Sequence, residues 1–397
     1  MRRLFVLVGF LTIVSVLVWN WQLLAPRDGE SLPKSPETRI ELFYEALSNR
    51  DESAMSRIEQ SFRDGPRSED YGRFFQGLKQ IHSGELEAAL SSLHGLGTNA
   101  LLRPFVIISI AETLYRLDRL NEAQVLLKGL LNEDEDHLDA HRLLGAILYD
   151  LGAYSRAIPY LEFVLERAPG SMGTHFMMGI IGLEFGDTTE SIDHFQKVLE
   201  AGASGKLRQD AIWNLSDALM QTQKYAEAEG RLSEYDESSK FLSRRANCLW
   251  NLQRRDEARQ LLKKAANIDD SNREYRLIQL QIQMHDRQWE QAAETAVQHL
   301  QTNPHDADVR YQLAQAYARQ GRQEDFEREI ARYEEASKLI AQLQELNRRA
   351  TADARDPVIR DQLAEVCDRL GKKELAEMWR KAAEHCREAQ YSRVRSQ

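Results

Sequence analysis

A spacing of 34 residues recurs along this chain and limits what it can fold into. Ala123, Ala157 and Ser191 follow one another at that interval, as do Gly145 and Gly179, Gly152 and Gly186, and Ala258 and Ala292. Between these marks apolar residues return every three or four positions. In the clearest stretch, Asp139 to Pro169, Leu143, Leu144, Leu148 and Tyr149 precede Gly152, and Ala157, Leu161, Val164 and Leu165 follow it. That pattern is a helix, a turn and a second helix. Gly145 and Ala157 fall where two antiparallel helices cross, and small side chains there let the backbones approach. Pro169 cannot continue the second helix and ends it. Each unit of this size buries its apolar face only against its neighbours, so the chain is expected to be an array of helix pairs without a single central core.

The unit resembles the tetratricopeptide repeat, whose period is 34 residues. The family's Leu-Gly pair in the first helix, its Ala in the second and its closing Pro correspond to Leu144, Gly145, Ala157 and Pro169. The resemblance implies an all-α fold, a right-handed α-solenoid of helix-turn-helix repeats. The motif describes packing and carries no chemistry of its own.

The resemblance also implies a concave groove lined by the first helix of each unit. Carried over, the groove positions are Ile108, Glu112 and Tyr115, then Arg142, Ala146 and Tyr149, then Phe176, Met177, Ile180 and Leu183. Trp213, Asn214, Asp217 and Met220 follow, and after them Asn247 and Trp250. The groove is therefore expected to be apolar and aromatic, with Glu112, Asp150, Glu184, Asp210 and Asp217 at its rim. Aromatic and Met side chains suit peptide anchors, and Asn amides can pair with a ligand backbone. The expected partner is a protein or peptide with basic and apolar residues. The alternative for any of these positions is packing between repeats. The carboxylate clamp of the chaperone-binding subfamily is incomplete. Asn214 and Arg244 fall at its positions, but Trp213 and Phe176 stand where Lys is needed, and Ile180 stands where Asn is needed.

In chain order, Met1-Arg2-Arg3 precedes an apolar run from Leu4 to Trp19 that continues through Trp21 and Leu24. As a helix it reaches about 30 Å, enough to cross a bilayer core. Basic residues before the run place the N-terminus in the cytoplasm and the rest of the chain outside it. The rival is a cleaved signal peptide, but Leu23, Ala25 and Pro26 make a poor cleavage site. The expected organisation is a signal anchor at 1–25, a polar linker at 26–36 and a repeat array at 37–326. A long polar helix and loop at 327–356, a C-terminal repeat-like unit at 357–390 and a tail at 391–397 complete it. The first pair, around Ile40, Phe43 and Ile58, reads as a degenerate repeat or a cap. The step from Ser191 to Ala228 is 37 and the next, to Ala258, is 30, so loops there are lengthened and shortened. Phe326 replaces the small residue of its unit.

The net charge of −10 and pI near 5.6 argue against nucleic-acid binding, which needs a basic surface. Cys248, Cys367 and Cys386 have no zinc spacing, and the repeat frame puts the last two at opposite edges of one unit. No nucleophile elbow, phosphate loop or zinc-protease motif is present. His137 and His141 lie one helical turn apart and could share a metal, but no third ligand is in sight. The bland reading of that pair is a polar helix start after Glu133-Asp134-Glu135-Asp136. The expectation is a non-enzymatic scaffold without cofactor or metal, helping to assemble an extracytoplasmic complex. The alternative is a metal-binding or regulatory subunit of an enzyme such as a glycosyltransferase. Oligomeric state stays open, including self-association through the long polar helix.

Overall fold

The computed structural model describes residues 32–185, 187–235, 238–352 and 356–395. The anchor expected over 1–25 lies outside the described residues, and among those residues no helix is long and apolar enough to cross a membrane. The described residues form twenty α-helices and two short 3-10 turns, with no strand. They divide into two compact units. One holds the described residues up to Met178 with Glu200–Leu207 and Arg395; the other holds Gly179–Leu199 and the described residues from Arg208 to Val394.

The first unit contains α1 (Pro36–Asn49), α2 (Glu52–Gln60), α3 (Ser68–Ser83), α4 (Leu86–Leu93), α5 (Arg103–Arg116), α6 (Leu120–Glu133), α7 (Leu138–Asp150) and α8 (Tyr154–Arg167). The start of α9 (Met172–Phe185) also belongs to it. Its core begins at the first pair, where Ile40, Phe43, Phe74 and Phe75 are shielded from solvent. The Phe43 and Phe75 rings lie 4.3 Å apart. α1 is started by Ser35, which accepts from Thr38 N, and by Pro36 at its first position. The turn inside this pair is at Arg50 with φ 55°, 34 residues before the turn at Gly84; Asp118 and Gly152 follow at the same interval. The first pair therefore keeps the repeat register although its sequence carries no Leu-Gly mark.

Small residues do at the crossings what the spacing requires. A Cβ on Gly145 would lie 2.7 Å from Leu161 Cδ2, and one on Gly77 would lie 2.8 Å from Leu93. Ala89, Ala123 and Ala157 are fully buried.

The second unit contains the end of α9, then α10 (Thr188–Glu200), α11 (Gly205–Gln221), α12 (Tyr225–Leu232), α13 (Ser239–Asn251), α14 (Arg255–Ile268), α15 (Arg273–His285) and α16 (Trp289–Thr302). α17 (Ala307–Arg319), α18 (Gln323–Ala352), α19 (Pro357–Arg369) and α20 (Lys373–Arg395) complete it. Asp306 caps α17 through Val309 N at 3.3 Å and is also held by Arg273 Nε at 2.6 Å and His299 Nε2 at 3.1 Å, so one carboxylate joins α15, α16 and α17. The long helix begins at Gln323, before Phe326. It takes the place of a second helix and packs on α17, with Phe326 against the cluster of Ala292, Val309 and Leu313. A buried Arg310–Glu329 pair ties α17 to α18. Leu339, Leu343 and Leu346 are buried in the unit, and α18 packs on α19, so the helix has no bare apolar stripe along these residues. The last helix runs to Arg395, into the stretch read from sequence as a tail. The cysteines are free, and Cys248 and Cys367 are buried.

Candidate protein-binding surface

First helices meet side by side within each unit, and their side chains make two different surfaces. In the first unit α5 packs on α7 and meets α1 through a side-chain contact. The Tyr44 hydroxyl on α1 and Ser109 Oγ on α5 share a hydrogen bond of 3.0 Å across 65 residues of sequence. Ser109, Glu112 and Arg116 follow on one face of α5 at helical spacing. Burial pushes the Glu112 carboxyl up to about 7, against the opposing pull of Arg116. The Arg116 guanidinium itself donates to Ile81 O at 2.6 Å. Burial also raises Glu41, and the charges of Asp139 and Glu37 raise it further. Asp139 is paired with Arg142 at 2.5 Å. Glu41 and Glu112 are partly buried.

In the second unit α11, α13 and α15 carry the corresponding face. Trp213 on α11 is covered by two cations from α13: Lys240 Nζ is 3.5 Å and Arg244 Cζ 3.3 Å from the ring centre. Phe241 meets the same ring edge-on at 5.3 Å. Arg244 donates to Trp213 O at 3.0 Å and to Ser216 Oγ at 3.3 Å. It lies 3.8 Å from Asp217 and 3.9 Å from Glu274, so it spans three successive first helices. Burial pulls its pKa down, and Asp217 and Glu274 pull the other way.

Of the residues read as groove from sequence, Arg142, Tyr149, Phe176 and Trp250 are buried. Trp250 packs edge-on against His285 at 5.1 Å. Ile108, Tyr115, Ile180, Leu183, Trp213, Asn214, Asp217 and Asn247 are partly exposed. Tyr115 donates to Asp150, Asn214 to Asp210 O at 2.8 Å, and Asn247 Oδ1 accepts from Asn251 at 2.8 Å. Sequence reading placed Tyr44 only on the apolar face of the first helix and passed over its contact with Ser109, because the first pair lacks the motif that sets the register. It also passed over Lys240 and Arg244 as the cover of Trp213; their spacing of four residues on α13 was the available signal.

His137 and His141 do separate work. His137 caps α7, its Nδ1 accepting from Ala140 N at 3.4 Å. His141 bonds through Nε2 to Glu135 O at 2.8 Å and stacks on Phe163 at 3.6 Å. Among the described residues no group of three His, Cys, Asp or Glu side chains could hold a metal.

The sequence matches one tetratricopeptide repeat model over residues 109–172, 148–206 and 281–339, and another over 239–272. Against curated protein sequences the chain has no significant match. Among solved structures it is similar to a tetratricopeptide repeat protein from Parabacteroides merdae, with 14% identity, a TM-score of 0.43, and coverage of 62% of this chain and 98% of that one. It is also similar to YrrB, described as a tetratricopeptide repeat protein with an unusual peptide-binding site, with 14% identity, a TM-score of 0.30, and coverage of 53% and 91%. A human IFIT1 dimer with m7Gppp-AAAA gives 12% identity, a TM-score of 0.38 and coverage of 94% of both chains. At these identities the likeness concerns the fold alone.

Proposed function

This chain is a tetratricopeptide repeat protein, and we propose that it acts as a non-enzymatic scaffold that binds a peptide or protein partner on its first-helix faces. The observation that supports the reading is the face that first helices share. The small crossing residues of both helices, such as Gly145 and Ala157, are packed inside the pair. First helices keep larger side chains partly exposed beside one another, Ile108 and Tyr115 in one unit and Ile180, Leu183 and Asn247 in the other. Side chains held on rigid helices bind with little ordering cost.

Two finer parts of the proposal rest on the sequence. The apolar run within residues 1–25 anchors the chain in a membrane, and the basic residues ahead of it leave the repeats on the extracytoplasmic side. There the scaffold helps assemble a complex with a partner rich in basic and apolar residues, drawn by the chain's net charge of −10.

The test uses the full-length chain in its membrane, with a photo-crosslinking residue placed in turn at Tyr115, Ile180, Val125 and Ile268. The last two lie on second helices and are 71% and 52% exposed. A partner crosslinked from Tyr115 or Ile180 and not from Val125 or Ile268 supports the first-helix face. The reverse pattern sinks it. A C-terminal alkaline phosphatase fusion, active only outside the cytoplasm, tests the topology.

A further inference from the structure

Three carboxamides recur at the repeat interval on successive first helices of the second unit. Asn247 on α13, Gln281 on α15 and Gln315 on α17 stand 34 residues apart, and each is partly exposed. Contacts at both ends hold these helices side by side in register. Arg244 lies 3.9 Å from Glu274 towards their start, and Trp250 meets His285 at 5.1 Å at their end, so Asn247 and Gln281 lie between the same two crossbars. Arg273 pairs with Asp308 at 2.5 Å where α15 and α17 begin, and Leu277 and Met284 pack into the cluster of Leu313 and Tyr317 further along. That places Gln315 level with Gln281. One helical turn before these two amides stand Leu277, partly exposed, and Tyr311, 40% exposed, so an apolar row runs beside the amide row. The Tyr311 ring meets Tyr333 of α18 at 5.1 Å.

The pitch of the row selects a ligand backbone. Packed helix axes lie about 8–10 Å apart, and level amides on them are separated by about that distance. An extended strand returns a carbonyl to one side every two residues, about 6.6–6.8 Å. An α-helix rises about 5.4 Å per turn, and its carbonyls are already bonded within it. A polyproline II helix repeats every three residues, about 9.3 Å, and bonds none of its own carbonyls. Of the three, the last matches the row, and the amides supply the donors it lacks. Asn247 Oδ1 already accepts from Asn251 at 2.8 Å, so its NH2 is the group left to meet a ligand, and that group suits a carbonyl. Proline rings, which bring no N–H, suit the apolar row of Leu277 and Tyr311. We propose that the face of α13, α15 and α17 binds a proline-rich partner segment in polyproline II form, every third carbonyl received by Asn247, Gln281 and Gln315 in turn. This rests on the scaffold reading above and names the chemistry of the partner. Such a segment is stiff before it binds, so little ordering opposes its capture.

The experiment uses full-length protein in detergent micelles and fluorescein-labelled decaproline, read by anisotropy, with a Gly-Ser peptide of equal length as control. Gln281→Ala with Gln315→Ala is compared with Gln260→Ala and Gln298→Ala, which remove two amides from exposed positions of the second helices α14 and α16. The proposal expects the first pair to weaken decaproline binding about tenfold and the second less than about twofold. Tyr311→Ala should weaken it as well, while circular dichroism of all variants stays that of the wild type. Decaproline bound no better than the Gly-Ser peptide, or equal weakening by the two pairs, overturns it. The crosslinking experiment separates this from the scaffold reading. A partner crosslinked from Tyr115 or Ile180 by a chain that does not bind decaproline overturns the amide row and leaves the scaffold in place. A partner crosslinked from Val125 or Ile268 alone sinks the scaffold reading whatever decaproline does.

Discussion

The guanidinium of Arg244 lies 3.3 Å from the centre of the Trp213 ring, and the two residues belong to successive first helices of one unit. From sequence, Trp213 is an exposed aromatic anchor for a ligand. In the fold it is a platform on which its own neighbour rests, with Lys240 at 3.5 Å over the same ring. The contact joins α11 to α13, and the backbone carbonyl of Trp213 accepts from the same guanidinium at 3.0 Å.

Replacing Arg244 therefore costs stability and uncovers the ring. A cation–π contact and a charge-assisted hydrogen bond together are worth about 2 kcal/mol. Arg244→Ala should lower the denaturation midpoint accordingly and shift to the red the emission component that Trp213→Phe removes. Unchanged midpoint and emission would mean that the contact contributes nothing in solution.

The turns inside the pairs give a second expectation. Asp118, Gln223, Gln253 and Arg287 occupy the left-handed region, with φ between 60° and 66°, where Gly84, Gly152 and Gly321 stand in other units. A side chain costs about 1 kcal/mol or more in that conformation, partly offset by the greater freedom glycine has when unfolded. Arg287→Gly should stabilise the protein by about 0.5–1 kcal/mol, and Gly152→Ala should destabilise it by a similar amount. Thermal melts of the two variants moving in the same direction would contradict this.

The period and the crossings were legible in the sequence because both are set by residue size at fixed positions, as at Gly145 and Ala157. The first pair was legible as a degenerate repeat or cap, but its register was not, because its turn is at Arg50, which no sequence rule marks as a left-handed position. Losing that register hid the contact of Tyr44 with Ser109, which joins α1 to α5. The state of Trp213 was also out of reach: it depends on which way Lys240 and Arg244 reach from the next helix, and period alone does not fix that. Exposure within the groove set followed the same limit. A register position places a residue on a face, while burial of Phe176 and Trp250 depends on the neighbours that the face meets.

Gly179 and Phe195 test the crossing rule directly. A Cβ on Gly179 would stand 2.8 Å from two carbons of the Phe195 ring, which is fully buried. Gly179→Ala should destabilise by about 1–3 kcal/mol through overpacking, despite alanine's better helix propensity. Phe195→Leu alone should also destabilise, and the double variant should be less damaged than the sum of the two. Strict additivity in that cycle would show that the ring is not what keeps position 179 small.

Glu112 ties stability to pH in a direction opposite to that of a paired carboxylate. Burial holds its folded pKa up at about 7, whereas an unfolded glutamate titrates at about 4.3. Between those values the folded chain holds a proton that the unfolded chain has released, so stability falls as pH rises through the window and levels off above it. Glu112→Gln keeps the shape and removes the titration. Its melting temperature should match that of the wild type near pH 4.5 and exceed it by several degrees at pH 8. A variant that is less stable than the wild type at pH 8 would show that the Glu112 charge is already satisfied within the fold.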